Sequence, residues 1–213
     1  MSSQPALILA PFIAAAVLVI RRHADELTTL DQAIGDGDHG INMQRGFEAI
    51  EAIRSELDRL ALNTALQKIG MTLVMKVGGA SGPLYGSFFM SLGKALPEQP
   101  SLTDFTHAFA AGVEAVKKRG KSDVGTKTML DVLVPVSAAL QKALQEQVTG
   151  SALLQQLQQI AEQSLQATQP MQASKGRASY LGERSIGHLD PGAMSSYLLI
   201  TSVCDCLKKG DVL

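Results

Sequence analysis

Aromatic residues make up only 4% of the 213 residues, and strand-like alternation of apolar and polar positions is nearly absent. Sheets draw on aromatic and β-branched side chains at a period of two, so an all-β architecture is excluded. Cysteine is as scarce: Cys204 and Cys206 form one Cys-x-Cys, far from any second ligand pair. That removes a zinc site built of paired cysteines and leaves two buried or half-buried thiols on a helix, suited to a reducing, cytoplasmic compartment. Excess charge is missing too, since the formal net charge is −1. No global field then draws in nucleic acid, and any phosphate chemistry must come from local groups. The apolar run at residues 6–20 holds 15 residues and is interrupted by Pro11. It is short for a membrane span, Arg21 and Arg22 follow it instead of preceding it, and the first five residues carry no Lys or Arg. A membrane segment and a secretory signal are both disfavoured, and the run reads as a buried first helix. There is no His-Glu-x-x-His, no evident Ser-His-Asp or Cys-His pairing, no internal repeat and no low-complexity tract. One domain over residues 1–213 is the expectation.

What is present is concentrated at residues 31–42, DQAIGDGDHGIN. Asp31, Asp36 and Asp38 would repel one another unless a positive group sat between them. Hard oxygen donors without cysteine point to Mg²⁺ or Ca²⁺. A solvated acidic turn capping the next helix is the other reading, because Asp-Gly pairs are ordinary turn chemistry. An EF-hand is excluded by spacing: counted from Asp36, its sixth and twelfth positions are Ile41 and Phe47, where Gly and Glu are needed.

Around this stretch the apolar spacing predicts eight helices. After the opening helix, Met43, Phe47, Ile50, Ile53, Leu57 and Leu60 mark the second, with Arg45, Glu48, Glu51 and Arg54 on its outer face. Leu62, Leu66, Ile69, Leu73, Val74 and Val77 form the stripe of the third. Gly78 and Gly79 stop it, and a fourth covers roughly residues 84–95 with Pro83 in its first turn. Residues 97–100 form a linker, and Ser101 or Thr103 caps a fifth helix with Phe105, Phe109, Val113 and Val116 inward. A sixth runs over about 128–146 around Pro135. The seventh uses Leu153, Leu157, Ile160, Ala161 and Leu165, and the eighth covers 193–208.

Two further pieces carry chemistry. The turn GGASGP at 78–83 leads into a helix N-terminus, where free N–H groups and the dipole favour an anion, although close helix packing also calls for glycines. The long connection at 170–192 offers Lys175, Arg177 and Arg184 for phosphate oxygens and reads as a lid, with a mobile solvated loop as the other reading. AVKKRGKS at 115–122 imitates a phosphate loop, but helix periodicity precedes it and no apolar helix follows, so the imitation is discounted. His23 and His107 read as residues of no special role, whereas His39 and His188 lie inside the two candidate loops and either could contact a ligand.

GDGDHGINM at 35–43, GGASGPLYG at 78–86, KTMLD at 127–131, and KGRASYLGER at 175–184 continuing to DPGA at 190–193 stand in order along the chain. With these motifs nearly the whole chain resembles the nucleotide-binding L subunit of bacterial dihydroxyacetone kinase, the form driven by the sugar phosphotransferase system. The resemblance implies an all-α barrel or bundle of eight antiparallel amphipathic helices with the nucleotide at one end. It implies that Asp31, Asp36 and Asp38 hold Mg²⁺ on ADP or ATP, with His39, Gly40 and Asn42 following into the pocket. Ala80 and Ser81 would give phosphate contacts, and Gly120 and Met129 would line the base. Arg177, Asp190 and Gly192 would complete the site from the lid, Arg177 also as the catalytic residue.

By the same resemblance the nucleotide is a held cofactor. An M-type phosphohistidine carrier recharges ADP, and the γ-phosphoryl passes to dihydroxyacetone on a K-type subunit, in glycerol metabolism. No nucleophile is then needed in this chain. Neither nucleic acid nor membrane is an expected partner, and a homodimer is left open. An ATP-exchanging kinase module for a related short ketose and a nucleotide-dependent regulatory subunit are the alternatives. The chain departs from the family at Thr126, where an Asp is usual, and in its more apolar first helix.

Overall fold

The computed structural model describes residues 9–210. Residues 6–8 of the opening apolar run lie outside the described residues. Ten α-helices and one 3-10 helix follow in order, with no strand among the described residues. Helices α1 (Ala10–Arg22) and α2 (Ala24–Ile34) are one rod broken at His23, and α3 (His39–Ala52) and α4 (Arg54–Leu57) are one rod broken at Ile53. Six more rods complete the set: α5 (Leu62–Lys76), α6 (Ser81–Ala95), α7 (Leu102–Gly120), α8 (Leu130–Glu146), α9 (Gly150–Ala167) and α10 (Pro191–Lys208). Counted as rods, there are eight, as the apolar spacing predicts.

Each rod packs on the next in chain order, and α10 returns to pack on α1, so the bundle closes into a ring. Its interior is filled by one continuous apolar core that runs from Ile13 through Leu73 and Val132 to Leu198. The predicted stripes face this core, with corrections. Val74 is 41% exposed because it sits one step off the row formed by Ile69, Leu73 and Val77. Ile53 is only partly buried, since it marks the break between α3 and α4. On α7, Ser101 caps, not Thr103: its Oγ accepts from the Asp104 N–H while the Asp104 carboxylate accepts from the Ser101 N–H. This reciprocal pair satisfies two of the helix's otherwise unpaired donors.

Local sequence also explains how α5 and α6 come so close. A Cβ on Gly70 would lie 2.7 Å from the Gly86 carbonyl oxygen, and a Cβ on Gly86 would lie 2.8 Å from the Gly70 carbonyl oxygen. Two backbones in contact leave room for nothing larger than glycine. Pro11 stands in the first turn of α1, where its missing N–H costs nothing, and Pro135 lies inside α8.

In an up-and-down ring alternate connections fall at the same end. The connections 35–38, 77–80, 121–129 and 168–190 are those alternate ones, so four loops distant in sequence meet at one rim. No helix among the described residues is long and apolar enough to cross a membrane. Cys204 and Cys206 are both buried thiols on α10, and the Cys206 Sγ lies 3.7 Å from the Pro11 carbonyl oxygen.

Candidate functional site

The rim carries a cleft built from all four loops. Asp31 belongs to the last turn of α2 and not to a loop, which corrects the reading of 31–42 as one acidic loop. Only residues 35–38 turn, and His39 already begins α3. Asp31 is 8% exposed and its Oδ2 accepts from the Asp38 N–H at 2.9 Å and the His39 N–H at 3.1 Å. It thereby satisfies donors at the start of α3 that no cap side chain serves. A Cβ on Gly35 would collide with the Asp31 Oδ1, so glycine at 35 lets the chain pass this carboxylate.

Asp31, Asp36 and Asp38 each present a carboxylate oxygen within 4.8 Å of the others. Facing them is Arg177, whose Nη2 lies 2.9 Å from the Asp36 Oδ2. Three carboxylates against one guanidinium leave a local negative excess. A hard divalent cation held by oxygens fits that donor set.

Across the cleft stands the N-terminus of α6. Its cap residue, Ala80, supplies no side-chain cap, so the first N–H groups of a 15-residue helix remain for an anion. Gly79 takes φ +62°, and the Cβ it lacks would lie 3.9 Å from both the Asp38 Oδ1 and the Asn42 Nδ2. The glycine keeps clear the space between the acid cluster and the helix terminus.

His39 is buried between two hydroxyls, with Nδ1 3.0 Å from the Ser81 Oγ and Nε2 2.9 Å from the Ser195 Oγ. Burial pushes its pKa down while Asp31 and Asp38 pull it up, and burial wins. A neutral ring with one donor and one acceptor nitrogen matches two hydroxyl partners. Tyr85, pushed up to about 12 by burial, reaches the Ser195 Oγ at 2.8 Å and the Ser196 Oγ at 2.9 Å. Asp190 caps α10 by accepting from the Ala193 N–H at 2.7 Å, and burial raises it to about 7.

Ten of the residues singled out in the sequence line this cleft together: Asp31, Asp36, Asp38, His39, Ala80, Ser81, Met129, Arg177, Asp190 and Gly192. Lys175 and Arg184, offered for phosphate oxygens, are exposed and stand outside its lining. Three of the residues that the resemblance puts in the site also stand outside it. Gly40 packs where a Cβ would collide with the Ala24 carbonyl, joining α3 to α2. The Asn42 Oδ1 accepts from the Arg45 guanidinium at 2.5 Å and sits under Gly78, bracing the glycine turn. Gly120 ends α7 beside Leu84, which does line the cleft. Of the two loop histidines, His188 is exposed and contributes only its carbonyl. The phosphate-loop imitation at 115–122 spans the end of a helix, and no strand precedes it among the described residues.

Lys127, Tyr85 and Ser195 carry no role legible in the sequence, and Arg45 reads there only as an outer-face charge. Lys127 and Tyr85 fall inside recognisable motifs, which is the only signal they give. Their partners are as much as 156 residues away, as Ser195 is from His39, beyond any local spacing rule.

The DAK2 domain family matches residues 33–205 of this chain. The chain is 48% identical over 181 residues to the ADP-binding subunit of PEP-dependent dihydroxyacetone kinase 1 of Listeria innocua, covering 84% of this chain and 86% of that one. To the ADP-binding subunit of the PEP-dependent dihydroxyacetone kinase of Escherichia coli it is 45% identical over 180 residues, covering 83% and 85%. Among solved structures, the dihydroxyacetone kinase from C. freundii in complex with AMP-PNP and Mg²⁺ matches with a TM-score of 0.74 and 25% identity. That match covers 96% of this chain but 34% of the longer one, so the present chain corresponds to about a third of it.

Proposed function

The chain belongs to the DAK2 domain family, and from that premise we propose that it is the nucleotide-carrying subunit of a dihydroxyacetone kinase, holding Mg²⁺ and ADP or ATP at the rim cleft. The observation that carries this reading is the acid cluster, three carboxylates within 4.8 Å, set opposite the uncapped N-terminus of α6. In this reading Asp31, Asp36 and Asp38 hold the metal. Mg²⁺ supplies charge neutralisation for the phosphates when bound.

The chain's own groups then divide the work. N–H groups at Ala80 and Ser81 receive phosphate oxygens, and Gly79 gives them room. His39, neutral and fixed by Ser195, orients the Ser81 hydroxyl toward the same oxygens. Met129 and Leu84 offer apolar surface to the base. Arg177 lies against Asp36, and its guanidinium would supply charge stabilisation to a terminal phosphoryl group bound beside the metal. In this reading the chain contributes positioning and electrostatics, and no nucleophile is asked of it.

The sugar and the phosphoryl donor belong to other subunits in this proposal. A K-type subunit holds dihydroxyacetone, and an M-type phosphohistidine carrier of the phosphotransferase system restores ATP on the resident ADP, all in the cytoplasm. The names of the two bacterial relatives, each an ADP-binding subunit of a PEP-dependent kinase, support that division. A second reading, an ATP-exchanging module, draws on the relative solved with AMP-PNP, whose chain is about three times as long.

The test is the content of the protein as purified. Denaturation is expected to release about one ADP per chain, as tight retention requires. Asp36→Asn, purified in parallel, is expected to lose both Mg²⁺ and nucleotide. A wild-type chain that is empty and binds Mg²⁺-ADP only weakly sinks the proposal. Activity with a K-type subunit and excess ATP, without any phosphohistidine donor, would favour the second reading.

A further inference from the structure

Lys127 is a lysine with 1% of its surface exposed. Its ammonium donates to three backbone carbonyl oxygens: Met171 at 3.0 Å, Ser185 at 2.6 Å and His188 at 2.6 Å. All three acceptors lie in segment 171–188, the piece of chain that carries Arg177. Lys127 also adopts φ +60°, a left-handed backbone that a side chain with a Cβ disfavours. A strained backbone and a buried ammonium persist only where the surroundings hold them.

The surroundings are specific. The Asp131 carboxylate accepts from the N–H groups of Gly125 at 2.5 Å and Thr128 at 2.6 Å, which shapes the turn that presents Lys127. The Thr126 carbonyl accepts from the Ser174 N–H at 3.3 Å, binding the same turn to the segment. Within the segment, the Ser185 Oγ accepts from the Ala173 N–H at 2.9 Å and donates to the Gly182 carbonyl at 2.6 Å. The Gly187 N–H donates to the Gln169 carbonyl at 2.8 Å. A small second core of Ile34, Ala173 and Ala178, with Leu181 against it, seals the segment onto the end of α2.

We propose that Lys127 is the positioning residue for Arg177: its ammonium clamps segment 171–188 as a fixed roof over the acid cluster, so that nucleotide is retained at the site and does not exchange freely. The segment is long and glycine-containing, as a swinging lid would be, yet a charged donor satisfying three carbonyls at once is spent on immobilising it. Lys127 touches neither cleft nor phosphate and acts only through the segment. The retention half of this proposal rests on the nucleotide reading above, whereas the clamping half stands on the geometry alone.

Hydrogen exchange and nucleotide release test the two halves. In nucleotide-free wild-type protein, the amides of Ala173 and Gly187 are expected to be protected to within about tenfold of the α10 amides. Lys127→Met keeps the chain length and removes the charge. It is expected to raise exchange at those two amides ~100-fold or more while leaving amides of the α5–α6 pair unchanged, and to speed ADP release ~10-fold or more. A segment that exchanges freely in the wild type overturns the clamp, and this arm needs no variant to fold. Loss of protection across segment and α5–α6 together, or an unchanged ADP release rate, also overturns the proposal. Wild-type protein that carries no ADP fails the nucleotide reading instead, and the exchange pattern then decides the clamp by itself.

Discussion

Asp190 shows how a residue can be costly to the empty protein. Its pKa stands at about 7 in the folded chain, chiefly through burial, against 3.8 ordinarily. The folded state therefore binds this proton more tightly than the unfolded state. Stability falls as pH rises from about 4 to about 7, and the penalty is complete above that, up to ~4 kcal/mol for a shift of about three units. His39 acts from the other side, since its lowered pKa makes the folded state resist protonation and removes stability as pH drops below 6.5. Asp190→Asn keeps an oxygen for the Ala193 N–H and removes the titration. Its melting temperature in the nucleotide-free form is expected to rise relative to wild type between pH 5 and pH 8; a pH-independent difference would contradict this assignment. The residues visible in sequence were those whose chemistry is carried by type and spacing: Asp31, Asp36 and Asp38, with Arg177 among basic neighbours. Lys127 was not, because a lysine whose three partners are backbone carbonyls leaves no mark on the identities of Met171, Ser185 and His188.

Between helices, the close approach of α5 and α6 rests on the absence of side chains. A Cβ on Gly70 would stand 2.7 Å from the Gly86 carbonyl oxygen and 2.8 Å from the Met90 nitrogen, both backbone atoms that cannot step aside alone. Gly70→Ala is expected to destabilise by ~1–3 kcal/mol through overpacking, despite alanine's better helix propensity. Chemical denaturation would show it, and a change below ~0.5 kcal/mol would mean the pair can separate cheaply. Helix number and inward faces could be read from 3.6-residue spacing alone, as Phe109, Val113 and Val116 on α7 illustrate. Breaks inside a rod could not. Neither His23 nor Ile53 is a helix breaker, yet both leave helical backbone geometry, with φ near −105° and ψ near 10°. The connection 168–190 was legible by length and charge but not by form. Its 3-10 stretch, Arg177–Ser185, kinked at Gly182, is fixed by contacts to distant turns and has little apolar face of its own.

The closed ring gives ligand binding a consequence for the whole chain. The cleft takes lining residues from all four connections at one rim, from Gly35 to Gly192, so a bound Mg²⁺-ADP would bridge rods from both halves of the sequence. Opening any one of those rods would expose the ligand, and one cooperative unfolding transition should therefore move as a unit. At a ligand concentration of ~100 times Kd the stabilisation is ~2.7 kcal/mol, which corresponds to ~5–10 °C for a chain of this size. In the proposed site the phosphates meet the protein partly through the acid cluster, so the metal would be part of that gain: ADP without Mg²⁺ would bring further negative charge toward Asp31, Asp36 and Asp38, of which Asp36 pairs with Arg177. Scanning calorimetry of nucleotide-free protein is expected to show a single transition that rises with Mg²⁺ and ADP together and returns toward its starting value on chelation. An equal rise with ADP in the presence of chelator would place the nucleotide on the helix terminus alone and take the three carboxylates out of the site.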